Sequence, residues 1–399
     1  DNLALSNETI PDVLARAVAS YSSKPAYTCM GHTLSYAKLD ALSLQFAAYL
    51  QNHTDLKPGD RIAIQLPNIL QYPVVAFGAL RAGMVIVNTN PLYTPREMEH
   101  QFTDSGAKAI VILANMAHKL EEILPNAVLQ HVIVTELADV HPLPQRLLIN
   151  NVAKYIKKMV PAYHLPQAVS LRSAMALGAK TYCTPVQRKP DDIAVLQYTG
   201  GTTGVAKGAM LTHANLLANM QQCAVFMDKA NVGKGTETAV APLPLYHIYA
   251  FMLHCLLMVE YGNHSLLIPN PRDIKSFIKV LGKNPCSVFI GINTLFVALL
   301  NNAQFRRLDF SALKLTFSGG MALTEAAATR WEMVTGCPVL EGYGLTETSP
   351  VLTINPSEQI KLGTIGIPVA NTAIRIVDEN GIEQPTGVAG ELCAQGPQV

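Results

Sequence analysis

The sequence predicts an α/β fold of mainly parallel sheets, and three observations predict it. Short apolar, β-branched runs alternate with helix-period segments through most of the chain, the pattern of strands joined by crossover helices. Of 399 residues, 49% are hydrophobic and only 15% charged, enough apolar matter for a large core and too few charges for a disordered chain. The texture then changes twice, in a proline-rich stretch from Pro142 to Pro190 and over the last thirty or so residues. This divides the chain into a first α/β part (about 1–185), a second (about 186–365) and a β-rich end (about 366–399).

The elements follow in order. Ile10–Tyr21 has the spacing of an amphipathic helix. Lys57-Pro58-Gly59-Asp60 is a turn and Arg61–Leu66 alternates as a strand. Tyr72–Ala82 reads as a helix stopped at Gly83, Met84–Asn88 as a strand, Pro95–Ser105 as a helix and Ala109–Leu113 as a strand. Between Pro142 and Pro190 a long connection carries some helix. Lys154–Met159 within it is basic and amphipathic, which suits either a solvated helix face or contact with an anionic membrane surface. Strand patterns resume at Ile193–Tyr198, Ala239–Pro242, Ser265–Pro269, Ser287–Ile290, Leu313–Ser318 and Pro338–Glu341. Ala373–Asp378, a turn, and Gly390–Ala394 then make a hairpin.

Charge and cysteine content exclude several classes. Thirty Lys+Arg against 29 Asp+Glu leave a net charge of +1, so no global footprint for nucleic acid exists. Seven cysteines at wide spacings, without CxxC, suggest neither a disulfide framework nor a zinc site. A reducing compartment, the cytoplasm, is the expectation. No signal peptide is visible at Asp1–Ala4. Thr238–Val259 lacks Asp, Glu, Lys and Arg. Pro242 and Pro244 shorten its usable helix below the ~17 residues a span needs, so a buried helix is expected.

The strongest local signal is Tyr198-Thr199-Gly200-Gly201-Thr202-Thr203-Gly204-Val205-Ala206-Lys207-Gly208. Glycines let backbone approach a ligand, and successive N–H groups form an anion-binding concavity. Thr202 and Thr203 add donors, and Lys207 adds a point charge. The set suits a polyphosphate. It lacks the GxxxxGK[ST] spacing of a phosphate-loop kinase.

This run, with Ala209–His213 after it, resembles the phosphate-loop signature of adenylate-forming enzymes: acyl-CoA synthetases, luciferases and peptide-synthetase adenylation domains. Pro244-Leu245-Tyr246-His247 resembles their aromatic–histidine motif. Ser318-Gly319-Gly320-Met321 resembles their adenine-site turn. Gly342-Tyr343-Gly344-Leu345-Thr346-Glu347-Thr348 resembles their most diagnostic motif. Gly363–Pro368 with Gly390-Glu391-Leu392 resembles their β-region markers. The resemblance implies two packed α/β sub-regions with mainly parallel sheets plus a small distorted β-barrel. It also implies ATP-dependent activation of a carboxylic acid to an acyl-adenylate, followed by thioester formation with CoA.

By the same resemblance Thr199, Gly200, Gly201, Thr202, Thr203, Gly204 and Lys207 hold the phosphates. Gly319, Gly320, Met321, Gly342, Tyr343 and Gly344 form the adenine site. Thr346 touches the α-phosphate, and Glu347 with Thr202 holds Mg2+, a hard cation content with one carboxylate, phosphates and water. Outside the family Glu347 would read as a helix cap or surface carboxylate, Tyr343 as a core tyrosine and His247 as a core histidine. The family places His247 near the reacting carboxylate; His213 is read as structural.

For the acid, Ile248–Leu253 has no carboxylate to pair a substrate ammonium, which disfavours an α-amino acid. Tyr246, His247, Phe251, Gly291, Asn293 and Thr294 are the expected substrate contacts, with Gly291–Leu300 a candidate pocket wall. Asn88–Glu97, the phosphate loop and Gly291–Asn302 are most similar to bacterial long-chain fatty acid–CoA ligases. Ligases for short-chain or aryl acids, and a catalytically silent nucleotide- or acyl-binding module, are the rivals. Each buried CH₂ contributes at most ~0.8 kcal/mol, so a broad chain-length profile is expected. Peripheral contact with the inner membrane and a homodimer are family-level expectations. The family carries a ribose-binding aspartate, a hinge and a small C-terminal domain beyond the position of Val399. Without them, weak adenylate binding and poor acyl-CoA formation are expected of these 399 residues.

Overall fold

The computed structural model describes residues 3–200 and 205–399. Two open sheets dominate it. The seven-stranded sheet runs Val169–Ser170, His131–Thr135, Ala107–Leu113, Arg61–Gln65, Val85–Asn88, Ile193–Thr199, Lys207–Thr212. All its pairs are parallel except the last, a hairpin in which Thr199 faces Lys207. The nine-stranded sheet runs Ile367–Pro368, Val351–Ile354, Val339–Gly344, Leu315–Ser318, Val288–Gly291, Thr238–Ala241, His264–Leu267, Pro25–Cys29, His32–Ser35. Its middle is parallel and both edges are antiparallel.

The sheets do not divide at residue 185. The strands on both sides of the phosphate loop, assigned by sequence to the second part, complete the first sheet. Pro25–Cys29 and His32–Ser35, from the first part, complete the second, with Tyr27 in register with Ser265. A linear sequence cannot show such an exchange, because strand patterning reports burial and not partners.

The end of the chain also differs from expectation. Ala373–Val377 and Glu391–Gln395 pair as a two-stranded antiparallel sheet, and among the described residues no closed barrel forms. Two five-residue strands cannot wrap round a core of their own.

Local chemistry explains the helices nearest the site. Pro95–Ser105 starts on a reciprocal cap, with the Thr94 amide donating to Glu97 Oε2 (2.8 Å) and the Glu97 amide to Thr94 Oγ1 (3.3 Å). It stops at Gly106, whose φ of 63° is left-handed. The charge-free stretch after Pro244 becomes a helix running from Ile248 to Glu260 with a π-helical middle, Met252–Leu257. Its residues from Ile248 to Val259 are all buried, as expected, and no described helix is long and apolar enough to cross a membrane. A second core packs Asn293–Leu300 and Glu325–Thr335 on the nine-stranded sheet around Trp331. The Trp331 ring lies edge-on to Phe289 and Phe296 at 4.8 and 4.7 Å, and its Nε1 donates to Thr316 Oγ1.

Candidate active site

Open α/β sheets bind ligands beyond the carboxyl ends of their strands. A crevice of about 440 Å³ lies at such ends here. Thr199 and Gly200 enter it from the seven-stranded sheet. His247, Gly319 and Gly320 enter it from segments that follow strands of the nine-stranded sheet, and the run from Gly342 to Glu347 begins in the end of the strand Val339–Gly344. Four separate sequence motifs thus meet in one place. Gly201, Thr202, Thr203 and Gly204 lie outside the described residues.

The glycines of this crevice have steric reasons. A Cβ on Gly344 would sit 1.8 Å from the Pro350 carbonyl oxygen, and one on Gly342 would sit 2.5 Å from the Phe317 ring. Tyr343 is held between them, half-buried, opposite Thr353. The 3₁₀ turn Thr346–Thr348 then divides its side chains. Thr348 is buried, and its hydroxyl accepts from the Leu345 amide (2.9 Å) and reaches the Pro350 carbonyl (2.5 Å). Thr346 is half-buried and Glu347 is exposed on the crevice. Among the described residues no cluster of three His, Cys, Asp or Glu exists that could cage a metal. One exposed carboxylate beside the expected phosphate loop fits a cation held mostly by phosphates and water.

Buried amides fix these loops. Asn68 donates to the carbonyls of Ala241 (2.9 Å) and Leu243 (2.7 Å) and accepts from the Leu245 amide (2.8 Å), which shapes the approach to His247. Tyr72, Asn88 and Gln197 form a relay that ends on the Tyr246 carbonyl (2.9 Å). Asn219 holds both the amide (2.9 Å) and the carbonyl (2.7 Å) of Val351. Sequence reasoning missed Asn68, Gln197 and Asn219. A polar residue inside an apolar run is the signal that could have found them, because a buried amide must be paired.

His247 Nδ1 accepts from the Tyr249 amide (3.4 Å), which leaves the proton of the neutral ring on Nε2. The ring opens on the crevice, yet the protein packed around it lowers its pKa by desolvation. His213 accepts from the Ile10 amide (3.1 Å) and is buried, a structural role as expected.

The expected acid-binding residues are not all brought together. Tyr246 is half-buried and outside the crevice lining, and Phe251 is sealed in the core at 1% exposure. Tyr249 is the aromatic residue of this helix that reaches the crevice; its ring centre is 6.2 Å from that of Phe317, and its buried hydroxyl has no partner among the described residues. Sequence could not separate Tyr249 from Phe251, because this helix is apolar all round and carries no moment to orient it. Asn293 Oδ1 accepts from the Thr324 amide and hydroxyl (both 3.0 Å), Thr294 is exposed, and Gly291 is packed against the Phe296 ring. The Gly291–Leu300 segment is therefore mostly core and capping. Met321 stands outside the crevice lining, 46% exposed. Lys207 is exposed, opposite Thr199 on the hairpin.

Behind the crevice lies a smaller apolar cavity of about 30 Å³, bordered by Met227, Leu253, Leu257 and Met258. Phe317 lines both spaces.

Known proteins resemble the chain along its length. The model of the family described as "AMP-binding enzyme" matches residues 14–399. A long-chain-fatty-acid–CoA ligase of Escherichia coli O6:H1 is 50% identical over 394 residues, 98% of this chain and 70% of the relative. The ligase of that name from Bacillus subtilis (strain 168) is 33% identical over 400 residues, all of this chain and 70% of the relative. A crystal structure of a long-chain-fatty-acid-CoA ligase from Archaeoglobus fulgidus superposes with a TM-score of 0.84 at 22% identity, over 100% of this chain and 76% of that one.

Proposed function

Because the chain belongs to the AMP-binding enzyme family, we propose that its crevice performs the chemistry of a long-chain fatty acid–CoA ligase. The fatty acid carboxylate attacks the α-phosphorus of ATP, forming an acyl-adenylate and releasing pyrophosphate. The CoA thiol then attacks the acyl carbonyl, forming the thioester and releasing AMP. The observation that carries this reading is Phe317, one wall of both the crevice where the four motifs meet and an apolar cavity. A fatty acid needs such a pair of spaces, one for each end.

Thr199, Gly200 and Lys207 would hold the phosphates, with Gly201–Gly204 completing the loop. Tyr343 offers a flat face to adenine, and Gly319 and Gly320 allow the base close to the backbone. Thr346 would donate to the α-phosphate. Glu347 would hold Mg2+, which when bound offsets the charge that two meeting anions create. His247, with its proton on Nε2, would offer a donor to the attacking carboxylate, and Tyr249 would border the acyl chain. The cavity is far smaller than an acyl tail, so Met227 and Met258, unbranched and adaptable, must move aside.

We also propose a cytoplasmic setting, peripheral contact with the inner membrane, and pairing into a homodimer. The test of function is AMP release from ATP and CoA with palmitate, oleate, acetate or benzoate. Turnover with the long acids alone is expected. Equal turnover with benzoate or acetate would overturn the assignment of substrate.

A further inference from the structure

Leu143–Asn151 and the π-helical turn Val152–Ile156 form one rod on the surface, and this rod is inside-out. A surface helix ordinarily turns its apolar stripe to the core. Here the fully buried residues are Asn150 and Ala153. Polar bonds pin the rod to the body. Asn150 Oδ1 accepts from the Ala138 amide (2.9 Å), its Nδ2 donates to Glu136 Oε2 (3.1 Å), and Gln145 Nε2 donates to the Met30 carbonyl (2.7 Å). The large apolar side chains face solvent instead: Leu147 (52% exposed), Leu148 (66%), Tyr155 (67%), Ile156 (74%) and, just beyond the rod, Met159 (45%). Ile149 and Val152 are only partly covered. Of the 24 large apolar residues that stand exposed among the described residues, seven lie between residues 143 and 163, so this is a patch and not scatter.

The charge of the same segment selects its partner. From Pro142 to Tyr163 the chain carries Arg146, Lys154, Lys157 and Lys158 and no Asp or Glu. Lys154 Nζ lies 5.5 Å from the centre of the Tyr155 ring, so cation and aromatic ring stand together. Lys158 closes the rod at a φ of 51°, a left-handed position usually filled by glycine. A second copy of this face would oppose four cations with four cations.

We propose that this face docks on an anionic lipid bilayer. Leu147, Leu148, Tyr155, Ile156 and Met159 enter the boundary between headgroups and acyl chains, and the lysines meet lipid phosphates. The proposal gives a location to the membrane contact proposed above. It rests on the ligase reading for its purpose, since a long-chain acid partitions into bilayers.

Flotation of the full chain with phosphatidylcholine vesicles, with and without phosphatidylglycerol, tests it. Binding to the anionic vesicles is expected, falling about fivefold for each of Lys154→Gln, Lys157→Gln and Lys158→Gln. The double variant Leu148→Glu/Ile156→Glu should bind at least about tenfold more weakly. Its melting temperature and its turnover of a detergent-dispersed acid should be unchanged. No flotation of the wild type, equal flotation on neutral vesicles, or unaltered binding of the variants would each overturn the proposal. So would a wild-type dimer that Leu148→Glu/Ile156→Glu dissociates, which would assign the face to a second copy. Flotation needs no turnover, so its failure and that of the ligase assignment are separately visible.

Discussion

The Tyr198 hydroxyl donates to Asp104 Oδ2 at 2.5 Å, tying the strand that enters the phosphate loop to the Pro95–Ser105 helix. One turn earlier on that helix, His100 Nε2 bonds the Ala206 carbonyl (2.9 Å) at the loop's exit. The Tyr198 ring also lies where a Cβ on Gly208 would stand, 2.9 Å away. One capped helix therefore holds both stems of the segment that carries the phosphate-binding sequence. On the proposed reading His100 and Asp104 are positioning residues that would act on ATP through the loop. His100→Ala and Asp104→Ala are expected to raise KM for ATP about tenfold, with a smaller effect on kcat. His100→Gln, which keeps a donor, should restore much of the loss. Equal falls in kcat with KM unchanged would contradict a positioning role.

Glu347 and Thr348 are neighbours with opposite duties. Glu347 is exposed and Thr348 buried in its turn. Glu347→Gln should leave stability within about 0.5 kcal/mol and lower kcat by about 10²–10³. Thr348→Val should instead destabilise by about 1–3 kcal/mol, because the buried turn loses the hydroxyl that accepts from the Leu345 amide and donates to the Leu345 and Pro350 carbonyls. Urea unfolding beside initial rates separates the two.

Asn219 satisfies both backbone groups of Val351 from the His213–Lys229 helix. Asn219→Leu removes donor and acceptor together and should cost about 2–4 kcal/mol, read as a lower denaturation midpoint. A loss under about 0.5 kcal/mol would mean the Val351 groups find other partners.

Gly344→Ala should prevent stable folding, since its Cβ would lie 1.8 Å from the Pro350 oxygen and 2.7 Å from the carbonyl carbon, neither of them at a flexible end. Gly200→Ala meets nothing within 4 Å among the described residues and should fold normally. Circular dichroism melts of the pair make the comparison.

Burial lowers the pKa of His213 to about 4, assisted by Arg188, and that of His254 to about 3. Both rings are neutral in the fold and protonate near ~6.5 when unfolded. Their contribution is complete above that pH. It is lost as pH falls toward the folded values, at about 1.4 kcal/mol per pH unit for each histidine. Denaturation midpoints should therefore drop between pH 6.5 and 4, and His213→Gln should flatten that slope by about one proton. An unchanged slope would exclude His213 as its source.

By itself the sequence determined the α/β class, the helix Ile10–Tyr21, strands such as Arg61–Gln65, Val85–Asn88 and Ile193–Thr199, and the four motifs of the crevice, but not the strands Pro25–Cys29, His32–Ser35 and His131–Thr135. The former are legible because period, capping and glycine placement are local properties of the backbone. Tertiary structure decided the rest. Which sheet takes which strand depends on pairing between residues far apart, as Tyr27 with Ser265 shows. Whether Tyr249 or Phe251 meets the crevice depends on how a uniformly apolar helix is rotated against Phe317. The outward turn of Leu147 and Leu148 depends on Asn150 finding Glu136 and the Ala138 amide below it, a polar anchorage that no hydrophobic pattern records.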